Sequence, residues 1–357
     1  MVEYTRRRLL AATAGVAGLG AVAGCSGGSG QSNAADVQSS FFVFSDIAAN
    51  VAGDSTTTDL LVPLGQHGHG WEPGPRVRES IYDASVFVHG MAGFQPWADD
   101  IVADLDADGA EVTPVDVSAD VSLLPFGASD DGHSEDSHSE HEDDGHAEDE
   151  TETHEDSHQE HSTESHDDEH EGEDDHDHGS MDPHFWMDPR RVATAADTVR
   201  AALADFDGEN ADRYADNAAA YQDRLADLDE RIESRLADAS KGVLLVAGHN
   251  AFGYLSERYG VRVEALTDAS PDDRPTPSDI ERAQSVIDEH GLSYICADPL
   301  ESQTAADQLV AETDAEAVLP LTAMPGLSES WQESEWGYVD VMEQVNLPAL
   351  TKALEAR

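Results

Sequence analysis

Cysteine and lysine are nearly missing from this chain. The 357 residues hold two cysteines, Cys25 and Cys296, and two lysines, Lys241 and Lys352. With Cys25 expected to be lipidated, Cys296 is left alone, which excludes a disulfide in the mature monomer and any zinc site built on thiolates. Lysine and arginine together number 19 against 75 Asp and Glu, for a formal net charge of −56. Such a surface repels nucleic acid and anionic membranes. The acid is spread along the chain, a pattern that fits adaptation to high salt, where the Debye length falls to about 3 Å at 1 M. Membrane-length apolar runs are not evident either: Ala11 to Ala23 is about 13 residues and Gly-rich, too short to span a bilayer. His-Glu-x-x-His occurs only inside the acidic tract, at His154–His158, and Gly-x-Ser-x-Gly only at Gly24–Gly28 beside the lipobox, neither in the apolar helix or strand–turn–helix setting that makes it a hydrolase signature.

What is present in excess is histidine beside carboxylate. The stretch 129–179 carries 11 of the 17 His and 24 of the 75 acids, with no Lys or Arg. Taking those 24 acids from the total still leaves a charge of −32, so the rest of the chain is acidic too. Imidazoles and carboxylates are ligands for borderline divalent cations, Zn²⁺ above all. The tract has too little apolar surface to offset its ordering entropy. It is expected to be a disordered loop inserted in the first lobe.

The N-terminus reads as an address. Thr5-Arg6-Arg7-Arg8-Leu9-Leu10 is a twin-arginine pattern, and the apolar run ends in Val22-Ala23-Gly24-Cys25, similar to a lipobox. Residues 1–25 are therefore expected to be a Tat-type lipoprotein signal, with lipid on Cys25 and residues 26–40 as a flexible tether.

From there the chain alternates short apolar runs with helical patterns. Strands are expected at Phe41–Phe44, Leu60–Leu64, Ala84–Val88 and Glu111–Val115, with helices at Asp46–Gly53, Arg76–Asp83 and Pro96–Leu105. A second series begins at Gly242–Ala247 and continues through Val261–Leu266, Tyr294–Ala297 and Ala317–Leu321. Its helices include Ser278–His290, with Ser278 as N-cap ahead of Glu281, and Gln303–Thr313; Tyr338–Leu354 is helical again. Strand–helix alternation predicts an α/β fold with parallel sheets, which bind ligands at the strands' carboxyl ends. Between the series, Tyr214, Ala218, Tyr221, Leu225, Leu228, Ile232 and Leu236 recur at threes and fours. They mark an amphipathic helix of about 28 residues, roughly 40 Å long and able to reach two lobes. The resulting division is 41–188 for an N-terminal lobe containing the 129–179 loop, 189–240 for a helical segment, and 241–357 for a C-terminal lobe.

Six histidines lie outside the tract: His67, His69, His89, His184, His249 and His290. His290 sits at a helix end, where an imidazole suits the helix dipole. His69, His184 and His249 fall in separate segments, each among turn residues and aromatics. Three neutral imidazoles would leave one position of a tetrahedral zinc site open. Asp182, Glu72 and Asp188 are placed to orient such rings.

Four stretches carry a resemblance: Pro63-Leu64-Gly65 through His69-Gly70-Trp71-Glu72-Pro73; Asp182-Pro183-His184-Phe185-Trp186-Met187-Asp188-Pro189; His249-Asn250-Ala251-Phe252-Gly253-Tyr254-Leu255 with Arg258-Tyr259-Gly260; and Tyr338-Val339-Asp340-Val341-Met342 with Asn346-Leu347. Together they resemble the ZnuA-like substrate-binding proteins of zinc and manganese ABC importers (the metal-binding cluster A-I family). The resemblance implies two Rossmann-like lobes bridged by one long backbone helix, with the metal between the lobes. It implies His69, His184 and His249 as metal ligands. An imidazole at His249 rather than a carboxylate favours Zn²⁺ over Mn²⁺. The family's usual acid near Leu321 is replaced by Thr322, which leaves water, His67, His89 or a tract His as candidates for a fourth or accessory ligand. The implied function is an extracytoplasmic, lipid-anchored zinc receptor, a non-enzymatic monomer serving an ABC permease and its ATPase subunit. Manganese binding, a surface zinc buffer and a zinc hydrolase are the alternatives.

Overall fold

The computed structural model describes residues 35–68, 70–126, 181–267 and 274–356, all within one compact unit spanning 34–357. The twin-arginine segment, Cys25, His69 and the His-rich tract lie outside the described residues.

Two four-stranded parallel sheets form the frame. The first contains β1 (Val37–Ser39), β2 (Thr58–Leu60), β3 (Val86–His89) and β4 (Thr113–Asp116), ordered β2-β1-β3-β4. The second contains β5 (Val243–His249), β6 (Arg262–Thr267), β7 (Tyr294–Ala297) and β8 (Ala317–Pro320), ordered β6-β5-β7-β8. Each order reverses direction beside its first strand, creating a switch point between β1 and β3 and another between β5 and β7. The helices of the first lobe are α1 (Phe42–Ala52), α2 (Pro75–Tyr82) and α3 (Pro96–Asp108). Next come α4 (Pro189–Phe206) and α5 (Ala211–Leu236), then α6 (Gly253–Tyr259), α7 (Pro277–His290), α8 (Thr304–Glu312) and α9 (Glu329–Glu333). Tyr338–Val341, Met342–Asn346 and Leu347–Ala353 close the chain as one helical stretch with a π-turn in the middle. Among the described residues no helix is long and apolar enough to cross a membrane.

The long helix is α5, 26 residues or about 39 Å. Its buried stripe includes Tyr214, Ala218, Tyr221, Leu225, Leu228 and Ile232, the face that the spacing predicts. It reaches both lobes. Tyr221 donates to Asp46 on α1 at 2.9 Å, and Asn217 donates to Val51 O at 3.0 Å. Two turns further on, buried Asp229 accepts from Arg190 Nε (2.7 Å) at the start of α4, and from Arg258 (2.8 and 2.6 Å) and Tyr259 (3.0 Å) on α6. Burial works to raise the Asp229 carboxyl, but these donors outweigh it and hold it below the usual range.

Three expectations are corrected. Phe41–Phe44 does not form the first strand; the strand is Val37–Ser39, and α1 begins at Phe42. A short apolar run does not distinguish a buried strand from a buried helix. Here Phe42, Val43, Phe44, Ile47, Ala48 and Val51 are all buried, so α1 is apolar around most of its circumference. The tether consequently cannot extend to residue 40, because β1 is a central, buried strand of the first sheet. Finally, α7 is capped by Thr276 with Asp279 rather than by Ser278 with Glu281: Thr276 Oγ1 accepts from Asp279 N and Asp279 Oδ2 accepts from Thr276 N, ahead of Pro277 at the first helical position.

Candidate metal centre

His184 is the most constrained candidate. Its neighbours Phe185, Trp186 and Met187 form a 3₁₀ turn, each at most 1% exposed. Trp186 packs tilted or edge-on in a cluster with Phe41 (5.0 Å between ring centroids), Phe94 (5.6 Å) and Phe44 (5.8 Å). The turn ends where Asp188 caps α4 by accepting from Arg190 N at 2.9 Å, with Pro189 at the first helical position. Apolar burial thus pins the turn, and His184, fully buried, is held against it. Asp182 Oδ1 accepts from both His184 N (2.9 Å) and His184 Nδ1 (2.7 Å). That contact assigns the proton to Nδ1 and leaves the lone pair on Nε2, the arrangement that orients a metal-binding imidazole. Burial lowers the pKa of His184, opposed by Asp182. The ring therefore stays neutral, as metal binding requires.

His249 ends β5, at the carboxyl edge beside the second switch point. Its ring centroid lies 5.4 Å from that of His184. Two imidazoles bound to one tetrahedral zinc at about 2.0–2.1 Å would place their centroids about 5.2 Å apart. The pair is therefore spaced to share one ion. The two motifs also fit each other. A Cβ at Gly253 would come 2.9 Å from Asp182 Oδ2, so the glycine lets the carboxylate that orients His184 lie against α6. Tyr254 Oη then donates to Asp182 O (2.5 Å) and accepts from Leu124 N (2.9 Å).

Glu301, which no sequence pattern singled out, joins this group. It follows β7 on the turn next to the switch point, and its Oε1 lies 3.3 Å from His249 Nδ1 and 3.4 Å from His67 Nε2. Both approaches exceed a good hydrogen bond. Burial works to raise the Glu301 carboxyl, but the imidazoles of His249 and His67 outweigh it and hold it at about 2. His67 lies 6.2 Å from His249 between centroids, longer than the His184–His249 spacing. Its loop is packed tightly: a Cβ at Gly68 would meet the Phe41 ring at 2.6 Å. An open cleft of about 1070 Å³ reaches His67, His249 and Glu301 and is rimmed by Glu72 and Arg274.

Not every candidate converges here. His89 sits at the end of β3, stacked on Phe87 with Nδ1 on Gly90 O at 2.7 Å, contacts that do not bring it to the His184–His249 pair. Asp188 caps α4 and pairs with Arg191 at 2.9 Å instead of orienting an imidazole. Thr322, where an acid was sought, binds Asn346 through its backbone. Burial pushes the Cys296 thiol up to about 12, consistent with an inert core residue. Among the described residues no three His, Cys, Asp or Glu stand at metal-ligand spacing. Two of the three expected histidines are described and adjacent, and the third, His69, lies outside. Chain order alone did not reveal Glu301, although its position just past a strand adjoining the switch point is a topological signal.

Known proteins share this layout. High-affinity zinc uptake system protein ZnuA of Bacillus subtilis (strain 168) is 28% identical over 318 residues, 89% of this chain and 87% of that protein. Zinc-binding lipoprotein AdcA of Streptococcus pneumoniae (strain ATCC BAA-255 / R6) is 25% identical over 320 residues, 90% of this chain and 56% of that protein. The metal-dependent lipoprotein YcdH of B. subtilis superposes with a TM-score of 0.65 at 25% identity, covering 89% of this chain and 98% of that one. The Zn(II)-bound ZnuA-like domain of S. pneumoniae AdcA superposes with a TM-score of 0.67 at 23% identity, covering 90% and 100%. Residues 37–353 match the family of the periplasmic component A of the zinc-uptake complex, ZnuA, a transport receptor family and not an enzyme family; this chain belongs to it.

Proposed function

We propose that this protein is an extracytoplasmic zinc receptor that captures Zn²⁺ between its lobes and delivers it to an ABC permease. The observation that carries this reading is the His184–His249 pair, two buried imidazoles from different lobes at a spacing matched to one tetrahedral ion. Zinc as the ligand agrees with the zinc-uptake and zinc-binding names of the relatives. His69 supplies the third imidazole, one residue after Gly68 on the loop that carries His67. Glu301 supplies the fourth ligand, an assignment supported by its approach to His249. Imidazole ligands favour zinc over the harder manganese ion. Release follows from separating the lobes, since the ligands come from both.

Lipid on Cys25 after twin-arginine export holds the receptor at the outer face of the membrane, as a monomer. The tract 129–179 serves as a weak gatherer of ions, a role that suits its 11 His and 24 acids. Its flanks support this placement: Pro125 pairs with Met181, and Asp182 N donates to Leu124 O at 2.7 Å, one turn from His184.

Chelator-competition titration of the purified protein tests the reading. Wild type is expected to bind one Zn²⁺ tightly beyond any weak tract sites, and His249→Ala to lose orders of magnitude in affinity with the tract intact. A tight, stoichiometric site surviving in His249→Ala would defeat it.

A further inference from the structure

Asp298 is a buried carboxylate, 6% exposed, at the first position after β7. On one side it builds the turn that carries Glu301. Its Oδ1 accepts from Leu300 N (2.8 Å), and its backbone oxygen accepts from Glu301 N (3.1 Å) and from Gln303 Nε2 (2.7 Å). Gln303 Nε2 also donates to Glu301 O at 3.1 Å. On the other side Asp298 Oδ2 accepts from Ala323 N at 3.0 Å, and the Thr322 hydroxyl donates to the same carboxylate.

The segment around Ala323 braces both ligand loops of the first lobe. Ala323 O accepts from Trp186 Nε1 at 2.8 Å, two residues beyond His184. Pro325 O accepts from Gly68 N and Leu327 O accepts from Gly65 N, each at 2.8 Å, on the loop that carries His67. The segment is itself fixed from behind. Asn346 takes Thr322 N and gives to Thr322 O, both at 2.9 Å. Met324 is held at φ +57 while its N donates to Thr322 Oγ1 at 2.8 Å.

We infer that Asp298 is a positioning residue for the bound ion: one carboxylate sets the distance between the Glu301 turn and the segment that fixes the His184 turn and the His67 loop. The inference rests on the ligand set proposed above. A carboxylate accepts on both oxygens, whereas an amide donates from one end. Asparagine at 298 would therefore set an N–H group against either Leu300 N or Ala323 N. Ligand cages lose affinity when a supporting group lets one ligand drift by more than about 0.5 Å.

The test compares wild type, Asp298→Asn and Gln303→Leu as purified full chains, with Zn²⁺ Kd from chelator competition and the visible absorption of bound Co²⁺ as a reporter of coordination geometry. Asp298→Asn is expected to weaken Zn²⁺ at least tenfold and to shift or weaken the Co²⁺ band, a change that a purely structural role would not produce. If Asp298→Asn does not fold, Gln303→Leu decides, because it leaves the carboxylate in place and removes only the amide that holds the Glu301 turn. It is expected to weaken Zn²⁺ several-fold with the same spectral shift. A wild-type Kd and Co²⁺ spectrum in Asp298→Asn, or in Gln303→Leu when that variant decides, overturns the positioning role while the receptor reading stands. Weak zinc binding by the wild type itself would instead overturn the receptor reading.

Discussion

Replacing Asp182 by Ala separates ligand orientation from ligand identity, because the carboxylate touches His184 and is not itself an assigned ligand. Two consequences follow from its geometry. In the apo protein the change removes the Asp182 acceptor from His184 N and Nδ1, now met at 2.9 and 2.7 Å in a fully buried site. Each unsatisfied buried donor costs about 1–3 kcal/mol, so the apo melting temperature should fall by several degrees. Zinc binding should also weaken by about 10–100-fold, or about 1.4–2.7 kcal/mol. The imidazole then no longer has its proton fixed on Nδ1 or its ring fixed toward the ion. Calorimetry on the apo protein and chelator competition on the same preparation read the two effects separately. An Asp182→Ala variant that melts early but binds zinc with the wild-type Kd would refute the orienting role and, with it, His184 as a ligand through Nε2.

Other consequences are more local. Gly253→Ala drives a methyl group to 2.9 Å from Asp182 Oδ2; it should weaken zinc in the same direction as Asp182→Ala, and equal affinity would argue against that contact mattering. Trp186→Ala removes the ring at the centre of the Phe41, Phe44 and Phe94 cluster and should cost about 3–5 kcal/mol, measurable by denaturant unfolding, with a cost under about 1 kcal/mol counting against the packed turn. Burial pushes the Asp298 carboxyl up to about 6 from an ordinary 3.8. A raised folded pKa adds stability that is full below the unfolded value and is lost as pH rises through the folded one. Wild type should therefore lose stability relative to Asp298→Asn between about pH 4 and 6, and parallel melting curves across that window would contradict the shift. Deleting 129–179 joins flanks that already meet at Pro125 and Met181; zinc titration should then show one tight site without the weaker ones, and loss of the tight site would make the tract a ligand donor.

The residues made some of this legible and hid the rest for physical reasons. The α5 stripe was readable because a long period-3.6 pattern has few alternatives. The strands β3 and β5–β8 were readable because each is a short apolar run between turn residues and helices. Phe41–Phe44 misled because its four apolar residues fit a buried helix as well as a buried strand, and packing against α4 and α5 decided it. In the site, Asp182 and His184 could be paired from sequence because they are two residues apart on one turn. Glu301 could not, because its approach to His249 is created by the β5–β7 pairing, which joins segments far apart in the chain. Asp298 was hidden for the same reason: its partners Ala323 and Thr322 come from beyond β8.

The central claim is that one zinc ion is held by imidazoles from both lobes. Diffraction from crystals of the zinc-loaded protein, collected on both sides of the zinc absorption edge, tests it most directly. The account predicts one strong anomalous peak about 2.0–2.1 Å from Nε2 of His184 and from a ring nitrogen of His249, with the His69 side chain and Glu301 completing the shell. A dominant zinc peak that touches neither His184 nor His249 would contradict it.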